Sequence, residues 1–138
     1  MKILYVEDEI SISNLAKIIF MRTNHEFMVC PKLKETKSIL EGNNIGLVIL
    51  DMTFPTFSGL DILEHISSRK INTSVIIYSG CISQYSSKLQ SYINSGIILK
   101  VYEKPTNNFE EIISFIDEIK WFGALIDIYT DGQFLRKK

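Results

Sequence analysis

The chain has 138 residues, 46% of them apolar and 22% charged, with a formal net charge of −1. That length suits one domain with a sizeable core, and so even a charge balance gives no electrostatic footing for a direct nucleic-acid partner. Cys30 and Cys81 lack the spacing of a zinc site or disulfide framework, and no long apolar run or signal-peptide pattern suggests a membrane span, so a cytoplasmic location is expected.

Lys2-Ile3-Leu4-Tyr5-Val6 reads as a first strand that ends in Glu7-Asp8-Glu9. Apolar residues at Ile12, Leu15 and Ile19 then fall at helical spacing, with Ser11 or Ser13 available to cap the helix. Phe27-Met28-Val29-Cys30 is a second strand, and Pro31 to Gly42 a second helix with Gly42 at its C-terminal end. Leu47-Val48-Ile49-Leu50 is a continuous apolar run, as in a strand buried on both faces, and it leads directly into Asp51. Ser58 and Asp61 form a capping box ahead of a helical face made by Ile62, Leu63 and Ile66. Ser74 to Tyr78 is a fourth strand closed by Ser79-Gly80. Ile82 to Asn94 is a polar helix, and Ile97 to Tyr102 a fifth strand interrupted by Lys100 and closed by Lys104-Pro105. Phe109, Ile112, Ile113, Ile116 and Ile119 mark a fifth helix. Strands and helices that alternate in this way predict an α/β fold, a doubly wound parallel sheet with helices on both faces.

In such folds, ligands bind outside the carboxyl ends of the strands. Those ends deliver Glu7 and Asp8, then Asp51, then Ser79, then Lys104. If the first and third strands are neighbours, three carboxylates crowd together and raise one another's pKa unless a cation intervenes. Mg2+ suits that oxygen-rich site. A hydroxyl and an ammonium opposite would serve the remaining oxygens of a phosphoryl group.

The ordered set Ile3-Leu4-Tyr5-Val6-Glu7-Asp8-Glu9, Asp51 with Pro55 and Gly59, Ser79-Gly80, and Lys104-Pro105 resembles the receiver domain of two-component response regulators. The resemblance covers residues 1 to 120 and implies a flavodoxin-like sheet of five strands in the order 2-1-3-4-5. It further implies that Asp51 accepts a phosphoryl group from a phosphohistidine on a sensor histidine kinase or phosphotransfer protein. Asp8 would ligate Mg2+ directly, Glu7 nearby, and Thr53 through its backbone carbonyl. Ser79 would be the switch hydroxyl, and Lys104 the phosphoryl-pairing lysine, with a cis bond to Pro105. A receiver is not an enzyme with a separate substrate; it catalyses its own phosphorylation and dephosphorylation, acts as a switch in a phosphorelay and passes the signal to a downstream effector.

The chain departs from the family's pattern in places. The position three before the lysine, usually aromatic, is Val101, with Tyr102 beside it; Val101 is expected in the switch slot. Gly96 lies one residue further from Lys104 than is usual, which points to an insertion that shifts the strand's frame. Thr53 and Cys81 stand where similar proteins tune hydrolysis, and neither orients water well, so slow self-dephosphorylation is expected. Residues 121–138 form an extension, apolar from Trp121 to Tyr129 and basic at Arg136-Lys137-Lys138. It is expected to bury a second surface, as in a homodimer of a stand-alone receiver, and is too short for a helix-turn-helix.

Two other readings remain open. A pseudo-receiver would keep the fold as an interaction module without phosphorylation; Asp51 labelling separates the two. An aspartyl-nucleophile phosphatase of the haloacid-dehalogenase type would carry a second aspartate where this chain has Thr53.

Overall fold

The computed structural model describes residues 1–80, 82–105 and 109–119. The chain divides into two compact units, Met1–Pro105 and Thr106–Lys138. The first holds strands β1 (Lys2–Val6), β2 (Glu26–Cys30), β3 (Leu47–Leu50), β4 (Ser74–Ser79) and β5 (Ile98–Glu103), and helices α1 (Ile10–Phe20), α2 (Leu33–Gly42), α3 (Gly59–Ser68) and α4 (Ser86–Asn94), with a 3-10 turn over Ile82–Tyr85. In the second unit, residues 110–119 form α5, whose first turn is closed by the Ile113 N–H donating to the Phe109 carbonyl at 2.9 Å. The expectations for residues 121–138, including a homodimer through them, lie outside the described residues, as does Cys81.

The sheet is wholly parallel, in the order β2-β1-β3-β4-β5. This is the doubly wound arrangement that the alternating pattern predicts. β3 is buried along its whole length, which accounts for its four consecutive aliphatics: neither face meets water, so no polar residue alternates with them. Leu4, Val6, Val48, Leu50, Val75 and Ile77 pack with Leu40 of α2, Ile62, Leu63 and Ile66 of α3, and Leu89 of α4 in one cluster. On α1, Ala16 and Phe20 are buried, and Phe20 stacks on Phe27 of β2 at 4.2 Å between centroids. Among the described residues, no helix is long and apolar enough to cross a membrane.

Two helix ends differ from expectation. α1 begins before Ser11: its N-cap is Glu9, without a side-chain bond, and the Ser13 hydroxyl donates back to the Ile10 carbonyl. The Glu7 carboxylate takes the Asp8 and Glu9 amides just ahead of the helix. Gly42 is the last helical residue of α2; the chain leaves through Asn43, whose main-chain and side-chain amides both donate to the Ile39 carbonyl. α3 starts with the capping box, Leu60 N–H to Ser58 Oγ at 3.2 Å and Ser58 N–H to Asp61 Oδ2 at 3.0 Å.

β5 carries an irregularity. Ile98 pairs with Val75 but Lys100 pairs with Ile76, so Leu99 is an extra residue in the register. The shift restores the frame before the strand's carboxyl end, where Val101, Tyr102 and Glu103 face Ile77, Tyr78 and Ser79. The insertion that Gly96 signalled is absorbed there, a β-bulge in all but name.

Gly59 sits where α3 leaves the loop after Asp51. Its N–H donates to the Met52 carbonyl at 2.9 Å, and a Cβ at this position would lie 2.6 Å from the Asp51 carbonyl oxygen and 2.6 Å from Met52 Sδ. Met52 is fully buried, so its sulfur has little room to withdraw. Gly59→Ala is expected to lower the unfolding free energy by about 1–3 kcal/mol, the usual range for overpacking, measured by urea denaturation.

Candidate functional site

The parallel order places the ends of β1 and β3 side by side, with β4 and β5 following. Glu7, just past β1, is buried at 2% exposure, while Asp8 faces solvent. Both Glu7 oxygens are engaged. Oε2 accepts the N–H groups of Asp8 and Glu9, each at 3.1 Å. Oε1 accepts the Tyr5 hydroxyl at 3.0 Å and the Lys104 ammonium.

Asp51, just past β3, is buried at 7% exposure. Its Oδ1 accepts the Met52 N–H at 2.7 Å, and its Oδ2 accepts Lys104 Nζ at 3.0 Å. The Met52 N–H also points toward Ser79 Oγ at 3.4 Å, which brings the last residue of β4 beside Asp51. Lys104 reaches the site from the end of β5: its N–H donates to the Ser79 carbonyl, its bond to Pro105 is cis, and its ammonium lies 5.5 Å from the Tyr78 ring centroid.

These contacts set the protonation states. Burial disfavours the Lys104 ammonium, but the Glu7 and Asp51 carboxylates more than offset this and hold its pKa above the ordinary lysine value. Burial pushes the Glu7 carboxyl up and the Asp51 charge adds to that push; Lys104 and the Glu9 N–H oppose it without cancelling it. The Tyr5 hydroxyl, buried beside Glu7, is held well above the ordinary tyrosine range.

Among the described residues, Glu7, Asp8 and Asp51 can each offer a carboxylate oxygen such that all three lie within 4.8 Å of one another. Hard oxygen donors, one of them open to solvent, fit a divalent cation such as Mg2+, which binds through a few carboxylates and retains waters. Thr53 is exposed on the loop after Asp51. The bonds that close this loop, Gly59 N–H to Met52 O and Phe54 N–H to Phe57 O, flank Thr53 and do not use its carbonyl. Its hydroxyl lies 3.5 Å from that of Tyr85.

Val101 and Tyr102 part ways. Val101, beside Ile77 of β4, packs on the cluster covered by α2, α3 and α4. Tyr102 is beside Tyr78, so strand alternation sends it to the opposite face. Tyr5, Tyr78 and Tyr85 went unremarked as site residues in the sequence. Only Tyr5 carried a local signal, since two residues along a strand share a face and Glu7 follows it at that interval.

The family model for the response regulator receiver domain matches residues 3–115. Among solved structures, the chain is similar to the signal receiver domain of a protein described as a LuxO repressor from Vibrio parahaemolyticus, with 26% identity and a TM-score of 0.74, covering 93% of this chain and 95% of that one. It is similar to the response regulator TrrA from Thermotoga maritima, seen in complex with Mg2+-BeF, with 27% identity, a TM-score of 0.71, and 85% and 96% of the two chains covered. A CheY-like receiver domain from Methanospirillum hungatei shares the fold at 21% identity and a TM-score of 0.73, over 86% and 93%. No curated protein matches the chain. The chain belongs to the response regulator receiver domain family of two-component systems.

Among the described residues, Lys104 is the cation that faces both buried carboxylates. Lys104→Met is therefore expected to lower stability by about 1–3 kcal/mol in buffer with chelator, the range for stranding buried polar groups. Because its folded pKa is raised, the stabilisation is complete below the unfolded lysine value of about 10.4 and is lost as pH rises through the folded value. Urea midpoints of the two proteins should accordingly differ at pH 7 and converge at strongly alkaline pH.

Proposed function

We propose that Asp51 accepts a phosphoryl group from a phosphohistidine on a sensor histidine kinase or phosphotransfer protein in the cytoplasm, and that this domain is a phosphorylation-controlled switch acting on a downstream effector. The domain promotes its own phosphorylation and dephosphorylation and has no separate substrate. One observation carries the reading: Asp51, at a strand's carboxyl end, has Lys104 Nζ at 3.0 Å and the oxygens of Glu7 and Asp8 within 4.8 Å. The Mg2+-BeF complex of a relative with 27% identity supports it.

In the transfer, an Asp51 oxygen forms a P–O bond as the P–N bond of the phosphohistidine breaks, and the imidazole leaves with the bonding pair. Such transfer needs an in-line approach and charge cancellation more than covalent help. The Met52 N–H, 2.7 Å from Oδ1, holds the carboxylate in place. Lys104 can pass from Asp51 Oδ2 to a phosphoryl oxygen over a short distance. Glu7, Asp8, Asp51 and the Thr53 carbonyl would hold Mg2+, which supplies neutralisation of the phosphoryl oxygens. Ser79 Oγ, now near the Met52 N–H, turns to a phosphoryl oxygen once Asp51 is modified. The readout is the difference in contacts between the two states, as for any switch. Val101, beside Ile77 of this strand, repacks in place of an aromatic side chain.

Incubation with a small phosphodonor such as acetyl phosphate in Mg2+ should label the chain, and Asp51→Asn or chelator should abolish the label. A folded wild-type protein that takes no label would point instead to a pseudo-receiver. The label, once formed, should be lost slowly, because Thr53 offers only a hydroxyl already close to that of Tyr85; Thr53→Asn, which brings an amide able to orient water, should lose label faster when release is followed over time.

A further inference from the structure

Tyr5 is wholly buried, with its ring tilted against Phe27 of β2 at 6.3 Å between centroids. A valine or phenylalanine would fill such a place on a buried strand without bringing a polar group. The hydroxyl is accommodated because Glu7, two residues along the same face, accepts its hydrogen bond at 3.0 Å. Glu7 thus receives four donors: the N–H groups of Asp8 and Glu9 on Oε2, and the Tyr5 hydroxyl and Lys104 ammonium on Oε1.

Those donors differ in mobility. The two N–H groups belong to the main chain, and Tyr5 is locked in the core. Lys104 alone sits on a flexible side chain, shared between Glu7 and Asp51. If Asp51 is phosphorylated, the ammonium is drawn to the new phosphoryl oxygens. Glu7 is 2% exposed, so once Lys104 leaves, the Tyr5 hydroxyl is the donor that stays on Oε1 and fixes how the carboxylate faces the cation it would help to hold.

We propose that Tyr5 is a positioning residue for the phosphoryl-accepting site: its hydroxyl holds Glu7 Oε1 while Lys104 passes from Glu7 to the phosphoryl group. This rests on Asp51 being the phosphoacceptor. Tyr5 does not touch the phosphoryl group and acts through Glu7.

The test uses the full chain as wild type, Tyr5→Phe, Lys104→Met and the double variant. The first measurement is the affinity for beryllofluoride, a phosphoryl mimic, in Mg2+ by calorimetry. Tyr5→Phe should bind about five- to tenfold more weakly, because the loaded state loses the donor that keeps Glu7 oriented after Lys104 leaves. A purely structural tyrosine would lower the urea midpoint and leave this affinity within about twofold of wild type, an outcome that overturns the proposal. The second measurement needs no metal: in chelator, Lys104→Met should shift the urea midpoint further when combined with Tyr5→Phe than alone, since only then does Oε1 lose both donors. Additive shifts would overturn the proposal. Should the double variant fail to fold, the affinity of Tyr5→Phe decides the question by the same criterion. A wild-type chain that binds no beryllofluoride overturns the phosphoacceptor reading and this inference together; normal binding with Tyr5→Phe unchanged overturns this inference alone.

Discussion

The Lys104 ammonium, shared between the Glu7 and Asp51 carboxylates, is the interaction on which the site depends. Two acids at neighbouring strand ends, both mostly withdrawn from water, repel each other and lose hydration. A single cation between them reconciles both costs. It also ties the end of the edge strand β5 to the centre of the sheet, because the lysine main chain is bonded to Ser79 while its side chain reaches β1 and β3. The arrangement is held by a charge on a long side chain, which suits the phosphoryl-accepting role proposed for Asp51.

Around that cation the site is built from fixed and movable parts. Main-chain amides of Asp8, Glu9 and Met52 aim at the carboxylates and cannot leave without unwinding the loops. Gly59 lets α3 start against the Asp51 carbonyl and so keeps the Met52 amide in register with the acid. Ser79 and Lys104 are the side chains with somewhere else to go. The division leaves the core cluster packed beneath a site whose proposed switch is confined to two side chains.

Much of this was legible in the residues themselves. A run of four aliphatics leading into an acid could scarcely be other than a buried strand reaching the sheet edge, and Lys104 before Pro105 marked another strand end. The capping box of Ser58 and Asp61 was readable because its partners are three residues apart. The start of α1 was not, because the residues just ahead of it are tied down by a buried glutamate that itself bonds Lys104, 97 residues away. The shared face of Tyr5 and Glu7 followed from strand alternation; that the hydroxyl meets the carboxylate depended on Glu7 staying in line with the strand, its N–H donating to the Cys30 carbonyl. The closeness of Thr53 and Tyr85 is a tertiary matter with no local pattern to announce it.

The displaced Leu99 has a consequence at the border of the sheet. β5 is an outer strand, and an outer strand with regular, flat geometry invites a strand from another molecule to add to it. Here the ladder is broken where Leu99 is inserted, and exposed Lys100 follows at once. A kink and a charge together make this margin a poor template for intermolecular β-pairing. The same extra residue that moves Gly96 away from Lys104 thus also guards the described sheet against growing at β5.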